Sequence, residues 1–178
     1  SHRCVFYTGH RYVGPAFCQD VQQVYLNRHG NEEWSLIFYF QGRSWELDRF
    51  AAWFDQKFDK EVTQNLVDEK IMKRFLGMGE PSSQAIRAGS ANIHTHLDYI
   101  AYLTEERRWL AGNDFSLADI TAAAHLSSVD YLGDVPWSDH EPAKEWYARV
   151  KSRPSFRALL GDHIPGCPPP KHYADLDF

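Results

Sequence analysis

Two thiols near the start of the chain, Cys4 and Cys18, are the residues best suited by type to nucleophilic chemistry. A cysteine becomes a nucleophile when a helix N-terminus or a cation lowers its pKa, and the stretch "PAFCQDVQQVYL" offers Cys18 such a helix. No recognisable catalytic frame surrounds either thiol, so both read as small apolar residues. His2, Cys4, His10, Cys18 and His29 are metal-ligating by type, yet no CxxC pair or finger spacing joins them, and no metal site is expected. His94 and His96 stand two apart on a helical stretch and face different ways, which excludes chelation by that pair alone. They read as packing or surface histidines.

The most informative constellation is "NDFSLADITAAAHLS", residues 113–127. Ser116 precedes an alanine-rich apolar run and Asp119 follows three residues later, the spacing of a capping box. Phe115 and Ile120 flank the pair at the spacing of a hydrophobic staple. The run after the box has small side chains all round, so the helix can lie in the middle of a bundle. A buried helix must satisfy its first amides internally. The stretch is therefore a structural helix start, and loss of the Asp119 carboxylate is expected to cost about 1–2 kcal/mol.

Around it the chain organises as helices. Leu47, Phe50, Phe54, Phe58, Val62 and Leu66, then Ile71 and Phe75, form one stripe from residue 46, stopped by "GMGEP". A second helix is expected from Ser82 to about Thr104, with small residues (Ala85, Ala88, Gly89, Ser90, Ala91) that admit a close neighbour. The third runs from Ser116 to about Leu132, the fourth from Pro142 to Lys151, and Pro154 opens a short fifth. Residues 1–45 read as an irregular segment with strand-like pieces "CVFYTG", "QQVYLN" and "WSLIFYFQG". Residues 46–165 are the helical domain, and 166–178 a proline-rich extended tail.

Composition bounds the function. The 178 residues are 43% hydrophobic with a net charge of −5, which marks a folded globular protein with no electrostatic case for nucleic acid. No apolar run is long enough to span a bilayer, and no signal peptide is evident, so the expected location is the cytoplasm. Three widely spaced cysteines suit reduced thiols there.

"WLAGNDFSLADITAAAHL" with "YARVKSRPSF" resembles the all-helical C-terminal domain of glutathione S-transferases, in which such a box and staple begin the central helix. The resemblance implies an all-α bundle of that type over residues 46–165. A narrower likeness, in "EVTQNLVDEKIMKRF", "AIRAGSANIHTHLDYIAYL", "AHLSSVDYLGDVPW" and "PPPKHYADLDF", is to alphaproteobacterial GST-like division proteins that bind FtsZ. It implies a binding protein with FtsZ or another protein as partner and no cofactor. The alternative is a glutathione-conjugating enzyme, with glutathione as cosubstrate. Residues 1–45 show neither the Val-Pro pair nor the Glu-Ser or Asp-Ser pair of a glutathione site, so the thioredoxin-like half is expected to be missing.

Within that frame, Trp53, Phe54, Tyr99 and Tyr102 are candidates to line an acceptor pocket, against the ordinary reading of aromatics at helical spacing as core. Apolar surface left uncovered would promote self-association. Arg149 and Arg153 belong to a late basic cluster suited to an acidic partner, against the ordinary reading as solvated charge. In the tail, Lys171, Tyr173, Leu176 and Phe178 are the candidate partner contacts. Two burial sites are open to its apolar groups, the chain's own helices near Trp146 and Tyr147 or a partner. Self-docking that shapes a partner surface is the expectation.

Overall fold

The computed structural model describes residues 49–176 and, for backbone alone, 7–8 and 11–12. Tyr7–Thr8 (β1) pairs antiparallel with Arg11–Tyr12 (β2), in register Tyr7 to Tyr12. β1 falls in the strand-like piece "CVFYTG"; the other two pieces lie outside the described residues.

The long apolar stripe forms a helix that is already wound at residue 49 and continues as α1, Trp53–Met72, then α2, Lys73–Leu76. α1 is wound as a π-helix, far longer than the single-turn bulges usual for that winding. The spacing explains its buried face. Phe50, Phe54, Phe58, Val62 and Leu66 recur strictly every fourth residue, and all five are fully buried. On a 3.6-residue helix such a row drifts about 40° per step. A π-turn of about 4.4 residues leaves a drift of similar size in the opposite sense, and Thr63, Val67 and Ile71 join the row on the buried face.

α3, Ser83–Glu105, packs along α1, and one glycine sets the distance between them. A Cβ on Gly89 would stand 2.8 Å from both Asn65 Cβ and Leu66 Cγ, so any side chain there forces the helices apart. Of the small residues on this stretch, Gly89 carries the close approach, and Ala88, Ser90 and Ala91 are exposed. The α1–α3 corner is tied by Glu69, whose carboxylate accepts from the Ser82 amide at 2.6 Å and pairs with Lys73 at 2.7 Å. Asn92 of α3 donates to the Glu61 carbonyl of α1 at 3.0 Å and cross-links the two helices, and Asn65 donates to the same carbonyl within α1 at 2.8 Å.

α4, Leu117–Asp130, is central: ten of its fourteen residues are buried. α5, Glu141–Lys151, follows a short 3₁₀ turn at Trp137–Asp139 and packs on α3 and α4. α6 is Pro154–Leu160. Beyond it the chain folds back along the bundle and ends in a 3₁₀ turn at Lys171–Tyr173. One expectation is corrected. Phe75, placed on the inward stripe by its spacing, is 54% exposed, because the short α2 buries none of its residues.

Candidate functional site

Four groups converge on the carboxylate that begins α4. Asp119 Oδ2 accepts from the Ser116 amide at 3.0 Å and from the Ser116 hydroxyl at 3.1 Å. Oδ1 accepts from the Leu110 amide and from Trp146 Nε1, both at 2.9 Å. Ser116 and Asp119 thus form a capping box that also ties the loop before α4 and the middle of α5 to one fully buried side chain. Burial pushes the Asp119 carboxyl above the ordinary carboxylate range, while its four hydrogen bonds pull the other way. Ile120 is buried. Phe115 packs edge-on to Trp109 at 5.0 Å between ring centres.

The late arginines are engaged with those aromatics. Arg153 Cζ lies 3.9 Å from the centre of the Phe115 ring, and Arg149 Cζ 5.9 Å from that of Trp109. Arg149 also donates to the Arg108 carbonyl at 3.2 Å. Both side chains are half-buried and brace the loop before α4.

Among the described residues Trp53, Phe54, Tyr99 and Tyr102 do not share one lining. Phe54 is core, and Tyr102 is 71% exposed. Trp53 packs at a tilt against Tyr99, 4.5 Å between ring centres, and donates from Nε1 to His96 Nδ1 at 3.0 Å. That bond fixes the tautomer: His96 Nε2 carries the proton and gives it to Glu61 Oε2 at 3.0 Å. Burial holds His96 down to about 4, against the pull of Glu61. Glu61 lies below its ordinary value, chiefly through its bond from Lys57. The two helical histidines do face apart, since His94 meets His140 on the α5 side.

The tail docks on the chain itself. Tyr173 is buried and packs edge-on to Tyr131 at 5.1 Å; burial pushes its hydroxyl up to about 12. The Tyr131 hydroxyl accepts from the Ile164 amide at 2.8 Å and donates to the Cys167 carbonyl at 2.7 Å, clamping the returning segment. Buried Lys151 donates to the His172 carbonyl at 3.2 Å. The His172 ring meets buried Asp130 at 3.2 Å, and Trp137 Nε1 donates to the same Asp130 oxygen at 2.8 Å. Lys171 is exposed and Leu176 half-buried, while Phe178 lies outside the described residues.

Docked there, the tail forms one wall of a cleft of about 810 Å³. Val67, Ile71 and Met72 of α1 line it, with Ala124 and Leu132 opposite and Leu159, Ile164 and Tyr173 behind. Asp59, Asp68 and Asp162 stand among this apolar surface. At its lip Leu76 is 62% and Met78 64% exposed, continuous with Phe75. A concavity of this size, mostly apolar with a few polar groups, is the usual form of a binding site. The expected pocket residues are not part of it. A signal was present: both methionines of the chain fall at this lip, on apolar residues that run past the end of the inward stripe.

Among the described residues no group of three or more His, Cys, Asp or Glu is arranged to hold a metal, and no helix is long and apolar enough to cross a membrane. Cys4, Cys18, His2, His10 and His29 offer no described side chain.

The sequence pattern of the glutathione S-transferase C-terminal domain matches residues 83–149. A solved glutathione S-transferase from Rhodospirillum rubrum F11 is 53% identical, superposes with a TM-score of 0.76, and is matched over 94% of this chain and 72% of its own. The chain belongs to the glutathione S-transferase family. Within the family it is 53% identical over 133 residues to FtsZ-localized protein A of Caulobacter vibrioides (strain NA1000 / CB15N), covering 75% of this chain and 58% of that protein. The solved structure of FzlA from C. crescentus is 52% identical with a TM-score of 0.74, over 76% of this chain and 60% of that one. The chain thus spans less than two thirds of the length of those two relatives.

Proposed function

We propose that this member of the glutathione S-transferase family is a non-catalytic binding protein that acts in bacterial cell division, in the cytoplasm, through contact with FtsZ. The observation that carries the reading is its 53% identity to FtsZ-localized protein A. Two features of the described residues support it. Both oxygens of the fully buried Asp119 carboxylate are taken up by hydrogen bonds that hold the fold, and Oδ1 of buried Asp130 accepts from Trp137 Nε1. The docked tail and the apolar lip, by contrast, make a surface whose shape suits another protein. From the tail Tyr173 lines it, with exposed Lys171 two residues before and half-buried Leu176 three residues after. Arg149 and Arg153 brace the loop before α4 and are not among the residues that line the cleft.

The test is fluorescence anisotropy of the labelled chain titrated with purified FtsZ. Saturable binding is expected, and a flat titration up to high concentration would overturn the reading. Family membership and the size of the cleft favour one alternative, a transferase that conjugates glutathione to a small electrophile. Retention on glutathione resin together with turnover of a model electrophile would establish that alternative.

A further inference from the structure

His140 ends the 3₁₀ turn Trp137–Asp139 and occupies the N-cap position of α5, yet its side chain makes no cap bond. It reaches to α3 instead. Its Nε2 meets His94 Nδ1 at 2.8 Å, and its Nδ1 meets Asp98 Oδ1 at 3.0 Å. His94 and Asp98 are one helical turn apart, so α3 grips the imidazole by both nitrogens. His140 is buried, His94 half-buried, and Asp98 is 72% exposed, so the chain of bonds runs from the helix interface to water. Its backbone carbonyl accepts the first bond of α5, from the Lys144 amide at 3.0 Å. Whatever moves His140 moves the start of α5.

The proton count limits what this arrangement tolerates. With both rings neutral, His140 gives its Nδ1 proton to Asp98 and accepts at Nε2 from His94 Nδ1. One added proton goes to the outer nitrogen of His94, both bonds survive, and the new charge offsets Asp98. A second proton must enter on His140 Nε2. Two N–H groups would then face each other across 2.8 Å, and the bond between the helices is lost. The charged groups flanking the site on the α5 side are Asp139, Glu141 and Lys144, the last two 3.8 Å apart. On α3 it is Asp98.

We propose that Asp98, His140 and His94 form an acid-responsive clasp between α3 and α5, which keeps its hydrogen bonds with one added proton and opens with two. Opening frees the first turn of α5, at Glu141 to Lys144, while α4 stays folded.

The test is amide hydrogen exchange of the full chain from pH 7 to 4.5, corrected for the intrinsic rate at each pH. On acidification, protection of the Lys144 and Glu145 amides, the first of α5 with a helical acceptor, should fall about tenfold more than protection in α4, which follows the global stability. His94→Gln leaves only one ring of the clasp to charge, so the loss in α5 beyond that of α4 should disappear in that variant. Equal loss in α4 and α5 would mean global unfolding and would overturn the clasp. So would pH-independent protection of the first turn, or an undiminished acid response in His94→Gln.

Discussion

The start of α4 and the end of α1 solve opposite problems. At the start of α4 every oxygen of one buried carboxylate is occupied, and three parts of the chain depend on it. Where α1 runs into α2, Met72, Phe75, Leu76 and Met78 stand 41–64% exposed beside an open cleft. The first region uses its chemistry to hold the fold and has nothing left to offer a ligand. The second contributes little to the fold and leaves apolar surface in water, which stable monomers rarely do without a use for it.

If that contrast is right, the two regions respond differently to substitution. The largest effect is expected at Asp119. Asp119→Ala leaves the Leu110 and Ser116 amides and the Trp146 indole without an acceptor inside the core. The cost should be about 3–5 kcal/mol, above that of a simple cap, because each buried donor left unpaired adds its own penalty. A thermal melt should shift down by about 10 °C, and Asp119→Asn should recover part of the loss.

Much of this was legible in the sequence, and the reasons are local. A capping box and staple are set by residues within five positions, so Phe115, Ser116, Asp119 and Ile120 announce the helix by type and spacing alone. The further bonds are less local: that from Leu110 needs the preceding loop to fold back on α4, and that from Trp146 exists only because α5 packs on α4. The cleft has the same character, since its walls come from α1, α4 and the tail. Self-docking of Tyr173 followed from its size and hydrophobicity. Its partner, Tyr131, did not.

The next effect sharpens the contrast through pH. His96 is neutral when folded, with its value held down to about 4, whereas the unfolded chain binds a proton near pH 6.5. The unfolded state therefore holds more protons between those values, and stability falls as pH drops through the window, by about 3 kcal/mol in all. Asp119 works in the other sense: raised by burial, its contribution is lost as pH rises through its folded value. Urea melts at pH 7 and pH 4.5 should show the His96 loss, and His96→Gln should flatten the difference. An equal difference in that variant would move the effect elsewhere.

A smaller change is expected where an arginine stacks at the rim of the hub. Arg153→Ala removes the cation over Phe115 and should cost about 0.5–1 kcal/mol, read from the urea midpoint. The smallest stability effect belongs to the lip. Leu76→Ser with Met78→Ser should alter the melt by no more than about 0.5 kcal/mol, yet reduce concentration-dependent self-association in light scattering. A large loss of stability in that double variant would show that the lip is part of the core after all.

The central claim is that the fold-holding region and the partner-binding region are separate, with the docked tail and the apolar lip on the binding side. Co-sedimentation with GTP-assembled FtsZ tests it most directly, comparing the unaltered chain with Asp119→Asn and with a variant carrying Lys171→Glu, Leu76→Ser and Met78→Ser. The account predicts that the unaltered chain pellets with the polymers, that Asp119→Asn pellets equally at a temperature where it is folded, and that the triple variant stays in the supernatant with its melt nearly unchanged. Failure of the unaltered chain to pellet, or equal pelleting of the triple variant, would contradict it.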